Sequence, residues 1–264
     1  MPFFAPLENQ APDSDLSGFA RHGLQHTSAS QINMYAECPH AWVGQYLFNR
    51  RSAFGSAAKS GVLVEEAIVN VLARGFTADA AIAYAVGEFN KFTALGATDA
   101  DNNRGLAMPQ MVYGALEALK PYGTPEFAPD GKQKKVEVVC NGDGWKLPII
   151  GFIDLHYPLH GKIIDIKSTM KMPSAMSDPH KRQACIYQRA MGNQTVDFLY
   201  ITGKKAQMLS CPDVPETLAG IKSILNRQER LLRLGDKELL RSIVPVITSS
   251  YYSDDGITQE LFNT

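Results

Sequence analysis

The residues best suited to chemistry lie near the middle of the chain, where two aspartates and a lysine occur in apolar runs. Asp154 follows Gly151-Phe152-Ile153, and Asp165 stands eleven positions after Asp154 and two places before Lys167. Both runs are typical of β-strands, so a tight hairpin between them brings the two aspartates together. Two carboxylates beside one ammonium can hold a divalent cation and activate a water molecule, as metal-dependent phosphodiester hydrolysis requires.

The alternation of side chains along a strand predicts that Asp165 and Lys167 share one face while Ile166 points to the core. The surrounding isoleucines make this strand apolar. The polar Asp165–Lys167 pair is therefore more typical of a functional site than of an ordinary exposed surface. A plain Asp–Lys ion pair, and a turn-capping or ion-paired role for Asp154, are the structural alternatives. A lysine beside a metal and largely out of water is expected to have a lowered pKa, which would let it assist the attack of water.

A third carboxylate is expected from the helix that follows Gly61. Glu65 shares its helix face with apolar residues three, four and seven positions later, whereas Glu66 lies nearer the polar side. A glutamate inside an apolar stripe needs a partner, so Glu65 is preferred. The choice between Glu65 and Glu66 stays open, and a solvated helix glutamate is the alternative for either.

The predicted helix after the Asp-x-Lys strand carries Gln183 and Tyr187, which are four positions apart and project side by side. They could orient a water molecule or a phosphate, and a half-buried surface pair is the alternative. Residues 162–205 contain eight Lys or Arg and three Asp. This local excess of positive charge lies where a polyanion would bind, although a solvated charged face gives the same pattern.

The elements that must position these residues divide the chain near residue 125. The apolar period predicts a helix opened by a capping box at Ser28–Gln31, helices over Gly61–Arg74 and Thr77–Leu95, and a helix that begins with Pro109 at its first turn. Later residues predict a three-stranded antiparallel meander over Lys135–Cys140, Leu147–Tyr157 and Lys162–Lys167. The remaining predictions are helices at His180–Met191 and Pro215–Leu234, strands at Thr195–Thr202 and Ala206–Cys211, and a short helix after Gly235.

The composition limits the classes of protein to which this chain can belong. The 264 residues are 45% hydrophobic and 20% charged with a net charge of −1, so no global basic field points to nucleic acid. No apolar run approaches the roughly 18 residues of a membrane span, and the N-terminus does not resemble a secretion signal, so a cytoplasmic protein is expected (host cytoplasm if viral). No phosphate-binding glycine loop and no zinc-ligand spacing occurs. The cysteines, expected as reduced buried thiols, are Cys38, Cys140, Cys185 and Cys211.

Taken in order, these motifs resemble those of the PD-(D/E)XK nuclease superfamily, in particular its RecB-like branch, which includes nucleases of CRISPR adaptation. The resemblance covers residues 28–205, and each motif alone is weak. The matching motifs are Ser28-x-Ser30-Gln31-x-x-x-Tyr35-x-x-Cys38-Pro39, Gly61-x-x-x-Glu65, Gly151-x-x-Asp154, Asp165-x-Lys167 and Gln183-x-x-x-Tyr187.

The resemblance implies an α/β fold: a restriction-endonuclease-like core with a mixed central β-sheet flanked by helices, plus a helical N-terminal half. Residues 1–26 mix Pro, Gly, Asp and Ser without a sustained period, which predicts a loosely ordered arm, and residues 27–264 would be one nuclease domain with a helical segment at 66–125. Mg²⁺, replaceable by Mn²⁺, would be held by Glu65, Asp154, Asp165 and the carbonyl of Ile166. Lys167 would be the catalytic lysine, with Gln183 and Tyr187 also lining the catalytic site. The expected DNA contacts are Lys171, Lys181, Arg182 and Arg189.

The chain departs from the family pattern at two points. The first motif often has histidine where Glu65 stands. Related nucleases pair an N-terminal cysteine, matching Cys38, with a C-terminal cysteine trio to hold a [4Fe–4S] cluster. Here only Cys211 lies on the C-terminal side, so such a cluster, which needs four ligands, is not expected.

The function expected on these grounds is a Mg²⁺-dependent DNA exonuclease of recombination, repair or phage DNA processing. The alternatives are a structure-specific endonuclease and a non-catalytic DNA-binding subunit that retains the fold. DNA is the expected partner, together with a recombination or annealing protein, and no membrane. Oligomeric state, cleavage polarity and strand preference are not readable from the sequence.

Overall fold

The computed structural model describes residues 4–5, 17–51, 53–128, 133–211, 215–247 and 257–262. The helices of the N-terminal half are α1 (Gly18–Arg21), α2 (Ala29–Glu37), α3 (Pro39–Leu47), α4 (Ser56–Arg74), α5 (Ala78–Thr93) and α6 (Asp99–Leu119). Those of the C-terminal half are α7 (Asp178–Ala190), α8 (Pro215–Arg233), α9 (Lys237–Ile243) and α10 (Ile257–Phe262). The strands are β1 (Phe4–Ala5), β2 (Lys134–Gly142), β3 (Trp145–Ile153), β4 (Leu155–Tyr157), β5 (Lys162–Ser168), β6 (Thr195–Ile201) and β7 (Ala206–Ser210).

The strands form two sheets that meet at Asp154. One has the order β1-β2-β3 and is antiparallel, and the other has the order β4-β5-β6-β7. In the second sheet β5 and β6 are parallel while both outer pairs are antiparallel, so the sheet is mixed. The parallel pair is joined through α7, as a β-α-β crossover requires.

Helices cover both faces of the mixed sheet. On β5, Ile163 belongs to the core shared with β2, β3, α7 and α8, whereas Ile164 and Ile166 belong to the core shared with α4, α5 and α6. On β6, Phe198 and Leu199 divide between the two cores in the same way. Because both faces are buried, these strands are nearly continuously apolar. The predicted α/β class, with its mixed sheet and helical N-terminal half, is confirmed.

The predicted three-stranded meander is wrong in its middle strand. The run predicted over Leu147–Tyr157 is two strands, β3 and β4, separated by Asp154. The cause is the Asp154 side chain, whose Oδ2 accepts the backbone N–H of Ile166 at 2.8 Å. The Asp154 carboxylate therefore accepts the Ile166 N–H in place of the backbone carbonyl that would accept it in a continuous pair of β-strands.

The predicted helix start at Pro109 is also wrong, since Pro109 lies inside α6. The helix begins ten residues earlier, at Asp99, where Thr98 and Asp101 form a reciprocal capping box. Burial of Met108, Met111 and Val112 against α4 and α5 keeps this helix continuous through the proline.

Residues 17–19, expected to belong to a loose arm, are buried where α1 packs against α8. The carboxylate of Glu229 accepts the backbone N–H groups of Gly18 at 2.7 Å and Phe19 at 3.1 Å, and Phe19 is buried against Trp145. The buried Glu229 thus hydrogen-bonds backbone N–H groups at the start of α1 that have no partner within the helix. Local sequence patterns cannot predict this contact, because the two segments are distant in the sequence. Residues 1–16 of the expected arm lie outside the described residues, except Phe4 and Ala5.

Other element boundaries agree with the predictions to within a few residues. Ser28 is the N-cap of α2, as predicted, and Pro39 stands in the first turn of α3. All four cysteines are buried. None of the described helices combines the length and the apolar character needed to cross a bilayer.

Candidate metal centre and active-site cleft

Asp154 lies at the junction of the two sheets and is held from two sides. Its Oδ2 accepts from the Ile166 N–H, and its Oδ1 accepts from Gln133 Nε2 at 2.7 Å. The side chain is almost fully buried, with 6% of the residue exposed. A carboxylate in this position is fixed by β5 on one side and by the residue before β2 on the other.

Glu65 reaches the same point from α4. The same Gln133 Nε2 that contacts Asp154 donates to Glu65 Oε1 at 2.7 Å. Among the described residues, Glu66 has no comparable contact with this group of acids. The geometry therefore brings Glu65, the preferred of the two candidates, next to Asp154.

Asp165 and Lys167 project to one side of β5, while Ile166 packs into the opposite core as expected. The Lys167 ammonium lies 2.5 Å from Asp165 Oδ1, and Asp165 is 1% exposed. Lys167 Nζ also lies 5.5 Å above the ring centroid of Phe198, a cation–π contact. The lysine is thus held between a carboxylate and an aromatic wall, with 28% of its side chain exposed.

All three acids have raised pKa values. Burial and the neighbouring Asp165 raise the pKa of Glu65 to about 7. Burial, Asp165 and Glu65 raise the pKa of Asp154 well above its usual range, and burial raises that of Asp165 despite the attraction of Lys167. Mutual repulsion of buried carboxylates is the situation that a bound cation relieves.

The lowered pKa expected for Lys167 is not found in the protein without metal. Burial lowers the pKa of Lys167, but the attraction of Asp165 and Asp154 raises it by more, so it lies above the ordinary lysine value. The expectation concerned a lysine beside a bound metal and stays a prediction for that state, because without a cation the two carboxylates attract the ammonium alone. Lys167 therefore keeps its proton here and acts as a fixed positive charge.

Gln183 and Tyr187 form a hydrogen-bonded chain that ties α7 to both sheets. Gln183 Nε2 donates to Asp165 Oδ2 at 2.7 Å and contacts the Tyr187 hydroxyl at 3.0 Å. The Tyr187 hydroxyl in turn donates to the carbonyl of Phe152 at 2.8 Å. Burial and Asp165 raise the Tyr187 pKa, so the phenol stays protonated and keeps donating.

Gly151 makes room for this tyrosine. A Cβ added at position 151 would lie 2.5 Å from Tyr187 Cε1. The glycine of the Gly-x-x-Asp motif therefore serves a close approach between β3 and the ring of Tyr187.

The sequence analysis missed two residues of the site, Gln133 and His180. Gln133 precedes β2 with no pattern around it, and no sequence signal could have found it. His180 is stacked on Phe198 at 5.1 Å, and its Nδ1 lies 2.6 Å from the Tyr200 hydroxyl. Burial and the nearby Lys167 lower the pKa of His180 to about 4, so this histidine is neutral. Its position three residues before Gln183 was a usable signal, because residues three apart share a helix face.

The four expected DNA contacts lie in different surroundings. Arg182 joins α7 to α2: its Nε donates to Asn33 Oδ1 at 2.6 Å and its guanidinium lies 3.5 Å from Glu37. Lys181 pairs with Asp178 in the first turn of α7, and Arg189 donates to Asn193 beyond its end. Lys171 is exposed and lines a separate hollow with Ser60 and Arg104. Three of the four thus lie on α7 and Lys171 lies between β5 and α7. Their contact with DNA stays a prediction.

The acid cluster fits a hard divalent cation by its donor chemistry. Its side-chain donors are the carboxylate oxygens of Glu65, Asp154 and Asp165, the kind that Mg²⁺ and Mn²⁺ prefer. The amide NH₂ group of Gln133, whose hydrogens are partly positive, already donates to two of them. In the described part of the chain, no three acidic, histidine or cysteine side chains lie close enough to form a ready-made metal site. Gln133 holds two of the acids and Lys167 the third, so a cation has to replace these donors to reach all three.

Comparison with known proteins matches most of the chain to a family model. A model of the PD-(D/E)XK nuclease superfamily matches residues 26–213. Among solved structures, SSO0001 has a TM-score of 0.37 and 16% identity, covering 64% of this chain and 74% of that chain. Rai1 of Scheffersomyces stipitis, solved in complex with (3'-NADP)⁺ and calcium ion, has a TM-score of 0.32 and 10% identity, covering 86% and 74%. Both structural likenesses are too weak to support a functional comparison. No curated protein matches the sequence.

The matched region runs from the segment before α2 to the residues after β7 and includes Glu65, Asp154, Asp165 and Lys167. Members of this superfamily are nucleases that generally use divalent metals such as Mg²⁺ or Mn²⁺. Since the match extends over more than half of its length, the chain belongs to the PD-(D/E)XK nuclease superfamily.

Proposed function

We propose that the protein is a Mg²⁺-dependent DNA exonuclease of the RecB-like branch, acting in recombination, repair or phage DNA processing. The observation that carries the proposal is the convergence of Glu65 and Asp154 on one amide nitrogen, next to the Asp165–Lys167 pair. Elements distant in sequence bring these groups together in the interior, where uncompensated carboxylates are costly. A fold without a ligand for them gains no stability from this arrangement.

The residues would divide the work as follows. Glu65, Asp154, Asp165 and the carbonyl of Ile166 would hold the cation, which when bound polarises the phosphate and supplies a nucleophilic water. Lys167, protonated and fixed over Phe198, neutralises negative charge that develops on the phosphate oxygens during in-line attack. Gln183 and Tyr187 keep Asp165 and the edge of β3 in place, because they connect both through hydrogen bonds.

The role of Lys167 depends most strongly on whether the cation is bound. Its proton is stabilised by Asp165 and Asp154. When a cation takes over these carboxylates, that attraction weakens and burial again favours loss of the proton. Lys167 can then exchange a proton with the attacking water as well as stabilise charge.

The test is cleavage of end-labelled DNA by the wild type, Asp165→Ala and Lys167→Ala with Mg²⁺ and with EDTA. Glu216→Ala, an exposed acid at the start of α8, is the matched control. Activity should fall by at least about 100-fold in the first two variants and remain in the control. Unchanged cleavage in both D165A and K167A would discard the assignment.

Exonuclease action has its own test in the same assay. Linear DNA labelled at the 5′ or 3′ end should be degraded from its ends, while a closed circle of the same sequence should survive. Cleavage of the circle would instead identify an endonuclease. DNA binding without cleavage in any metal would identify a non-catalytic subunit.

A further inference from the structure

The exposed face of α8 carries positive charge that the catalytic site does not use. The side chains of Lys222, Arg227 and Arg230, called here the α8 cluster, line a shallow hollow of about 410 Å³ together with Ser223 and Asn226. All three cationic residues are exposed, and no carboxylate or aromatic side chain of the described residues lines the hollow. Because the whole chain has a net charge of −1, this cluster is a local feature and not part of a generally basic surface.

The two glutamates of α8 do not neutralise the α8 cluster. Glu229 is buried and accepts backbone N–H groups at the start of α1. Glu216 stands in the first turn of the helix, roughly 9 Å along its axis from Lys222. In the part of the chain that the structure describes, no carboxylate lies within ion-pair distance of Arg227 or Arg230. Both guanidinium groups can therefore bind an anion from outside the protein.

The α8 cluster extends along the helix axis. At about 1.5 Å per residue, Lys222 and Arg230 stand roughly 12 Å apart along α8, with Arg227 between them. The phosphates of one strand of duplex DNA recur about every 3.4 Å along the duplex axis, so a strand that follows this face presents roughly three of them to the cations. A polyanion with regularly repeated charge therefore fits the α8 cluster better than a single small anion does.

Two neutral residues of the hollow can also contact a phosphate. Asn226 Oδ1 accepts from Trp145 Nε1 at 3.3 Å, which leaves the NH₂ group of Asn226 to donate. The hydroxyl of Ser223 accepts from Arg227 at 3.0 Å and can still donate its own proton. Serine and asparagine side chains, with those of arginine and lysine, are common partners of DNA phosphates. The hollow thus combines charge with neutral donors, and it offers no ring on which a base could stack.

α8 lies beside the cleft that opens next to Lys167. This cleft, of about 780 Å³, lies between the first turns of α2 and α7, and α8 packs against both helices. Burial raises the pKa of Tyr35 on α2 to about 12, and Arg227 is near enough to oppose this rise with its charge. The matched residues of the superfamily end at 213, before α8 begins, so this surface lies outside the region that carries the catalytic motifs. A DNA strand that leaves the cleft across α2 reaches the α8 cluster next.

We propose that the α8 cluster binds the phosphate backbone of duplex DNA outside the active-site cleft. The proposal rests on the proposed nuclease function and adds to it a second contact surface for the substrate. A duplex fits because its bases are stacked inside, so that only its backbone has to be bound. Such a contact carries no sequence information. It increases the affinity for DNA and leaves the chemistry at Lys167 unchanged.

The experiment measures how DNA binding depends on salt. Fluorescence anisotropy in EDTA follows a labelled duplex over a series of NaCl concentrations. It compares the wild type with a full-length variant that combines Lys222→Gln, Arg227→Gln and Arg230→Gln, and with Arg230→Gln alone. All replaced side chains are exposed, and thermal melting shows whether each variant is folded.

The matched control removes the same charge from other surfaces. It combines Arg74→Gln, Lys91→Gln and Lys120→Gln, three exposed cations near the ends of α4, α5 and α6. These helices cover the face of the mixed sheet opposite to α8. Since both triple variants change the net charge equally, the general electrostatic field of the protein changes to the same extent.

The variant of the α8 cluster should flatten the slope of log K against log salt concentration by about 2.7, because each phosphate contact contributes about 0.9. Arg230→Gln alone should flatten it by about 0.9. At about 0.1 M salt, the triple variant of α8 should bind the duplex on the order of 100-fold more weakly. In the Mg²⁺ cleavage assay it should raise KM and leave kcat within about twofold, since it removes binding and no transition-state contact. The control variant should behave like the wild type.

An unchanged salt slope in the α8 variants would overturn the proposal and would point to another partner, such as an acidic protein. An equal loss in the control would also overturn it, because binding would then respond to net charge alone, and so would a wild type that does not bind the duplex. The cleavage assay separates the two claims. Cleavage that requires Asp165, with no effect of the α8 variants on binding, discards the DNA contact of α8 alone. Binding that depends on the α8 cluster, with no cleavage in any metal, discards the nuclease alone.

Discussion

Gln133 is the residue that holds the acid cluster together when no cation is bound. One amide nitrogen donates to both Glu65 and Asp154. Hydrogen bonds to charged groups contribute roughly 1.5–3 kcal/mol each, and losing them leaves two carboxylates facing one another. A bound cation would take over this role.

Substituting Gln133→Ala should therefore lower the free energy of unfolding by about 2 kcal/mol at pH 8 in EDTA. At saturating Mg²⁺ the difference from wild type should nearly vanish. Urea unfolding with and without Mg²⁺ measures both values. Gln194→Ala, which removes one hydrogen bond to His156 away from the acids, should cost the same in both conditions. A Gln133 deficit that persists in Mg²⁺ would argue against a cation at this place.

Glu65 should make the metal-free protein less stable as the pH rises. Its pKa in the folded protein is about 7, raised by burial and by Asp165 from an ordinary value of 4.5. A proton that binds the folded state more tightly stabilises it fully below the unfolded pKa, and this stabilisation is lost as the pH rises through the folded pKa. The free energy of unfolding in EDTA should thus fall by on the order of 2 kcal/mol between about pH 5 and 8.

Urea unfolding at several pH values, with Glu65→Gln for comparison, checks this slope. The variant has no carboxyl to titrate, so its decline near pH 7 should be flatter. Mg²⁺ affinity should rise over the same interval in the wild type, because the cation needs the deprotonated acid. Parallel pH curves for the two proteins would contradict the shift.

The site residues that could be predicted from the sequence are those that stand out in a local pattern of apolar and polar residues. Asp165 and Lys167 share a strand face by alternation, and Glu65 stands out as a charge in an apolar stripe. Gln133 could not be placed, because its role comes from the distance between α4 and the sheet junction. The raised pKa of Lys167 was missed for a related reason, since it depends on how closely two carboxylates approach in the absence of metal.

At the scale of elements, the packing of α7 against β3 sets the position of Tyr187. The ring of Tyr187 fills the space that a side chain at Gly151 would need. Gly151→Ala should displace the ring and with it the hydrogen bonds to Phe152 and Gln183. We expect DNA cleavage to fall by about 10- to 100-fold, since a 1 Å misplacement can have this effect, and the free energy of unfolding to fall by about 1–3 kcal/mol.

Gly220→Ala is the matched control, because a Cβ at this position in α8 meets nothing within 4 Å. It should leave cleavage unchanged and raise stability slightly, by about 0.5–1 kcal/mol. In a background with Tyr187→Ala, the stability cost of Gly151→Ala should largely disappear. Additive costs in this double-mutant cycle would show that the glycine serves another purpose.

Helices and strands formed close to their predicted ranges wherever the local sequence pattern and the tertiary packing favoured the same structure. The helices α4 and α5 and the strands β5 and β6 formed close to their predicted ranges. The prediction failed where one side chain changed the backbone pairing, as Asp154 does between β3 and β4. It failed again at Pro109, because a capping box upstream and apolar burial downstream outweigh one missing hydrogen bond.

At the scale of the molecule, the acid cluster lies where the two sheets and the α4–α6 layer meet. Glu65 comes from the helical layer, Asp154 from the sheet junction and Asp165 from β5. The three acids come from different parts of the fold. In the metal-free protein they are connected through Gln133 and Lys167, and a cation that binds all three would connect them directly. Binding should therefore stabilise the whole domain, since repulsion among these acids opposes the folded state.

Mg²⁺ at about 100 times its dissociation constant should raise the free energy of unfolding by roughly 2.7 kcal/mol, which for a chain of this size moves the melting temperature up by roughly 5–10 °C. Asp154→Asn should lose this shift, because the amide brings no charge to the cation. Asp197→Asn provides the control: Asp197 is equally buried but pairs with Lys162 outside the cluster, so its variant should melt lower than wild type yet keep the response to Mg²⁺. Thermal melting with and without Mg²⁺ measures all three proteins. A Mg²⁺ shift that survives in Asp154→Asn would place the cation elsewhere on the molecule.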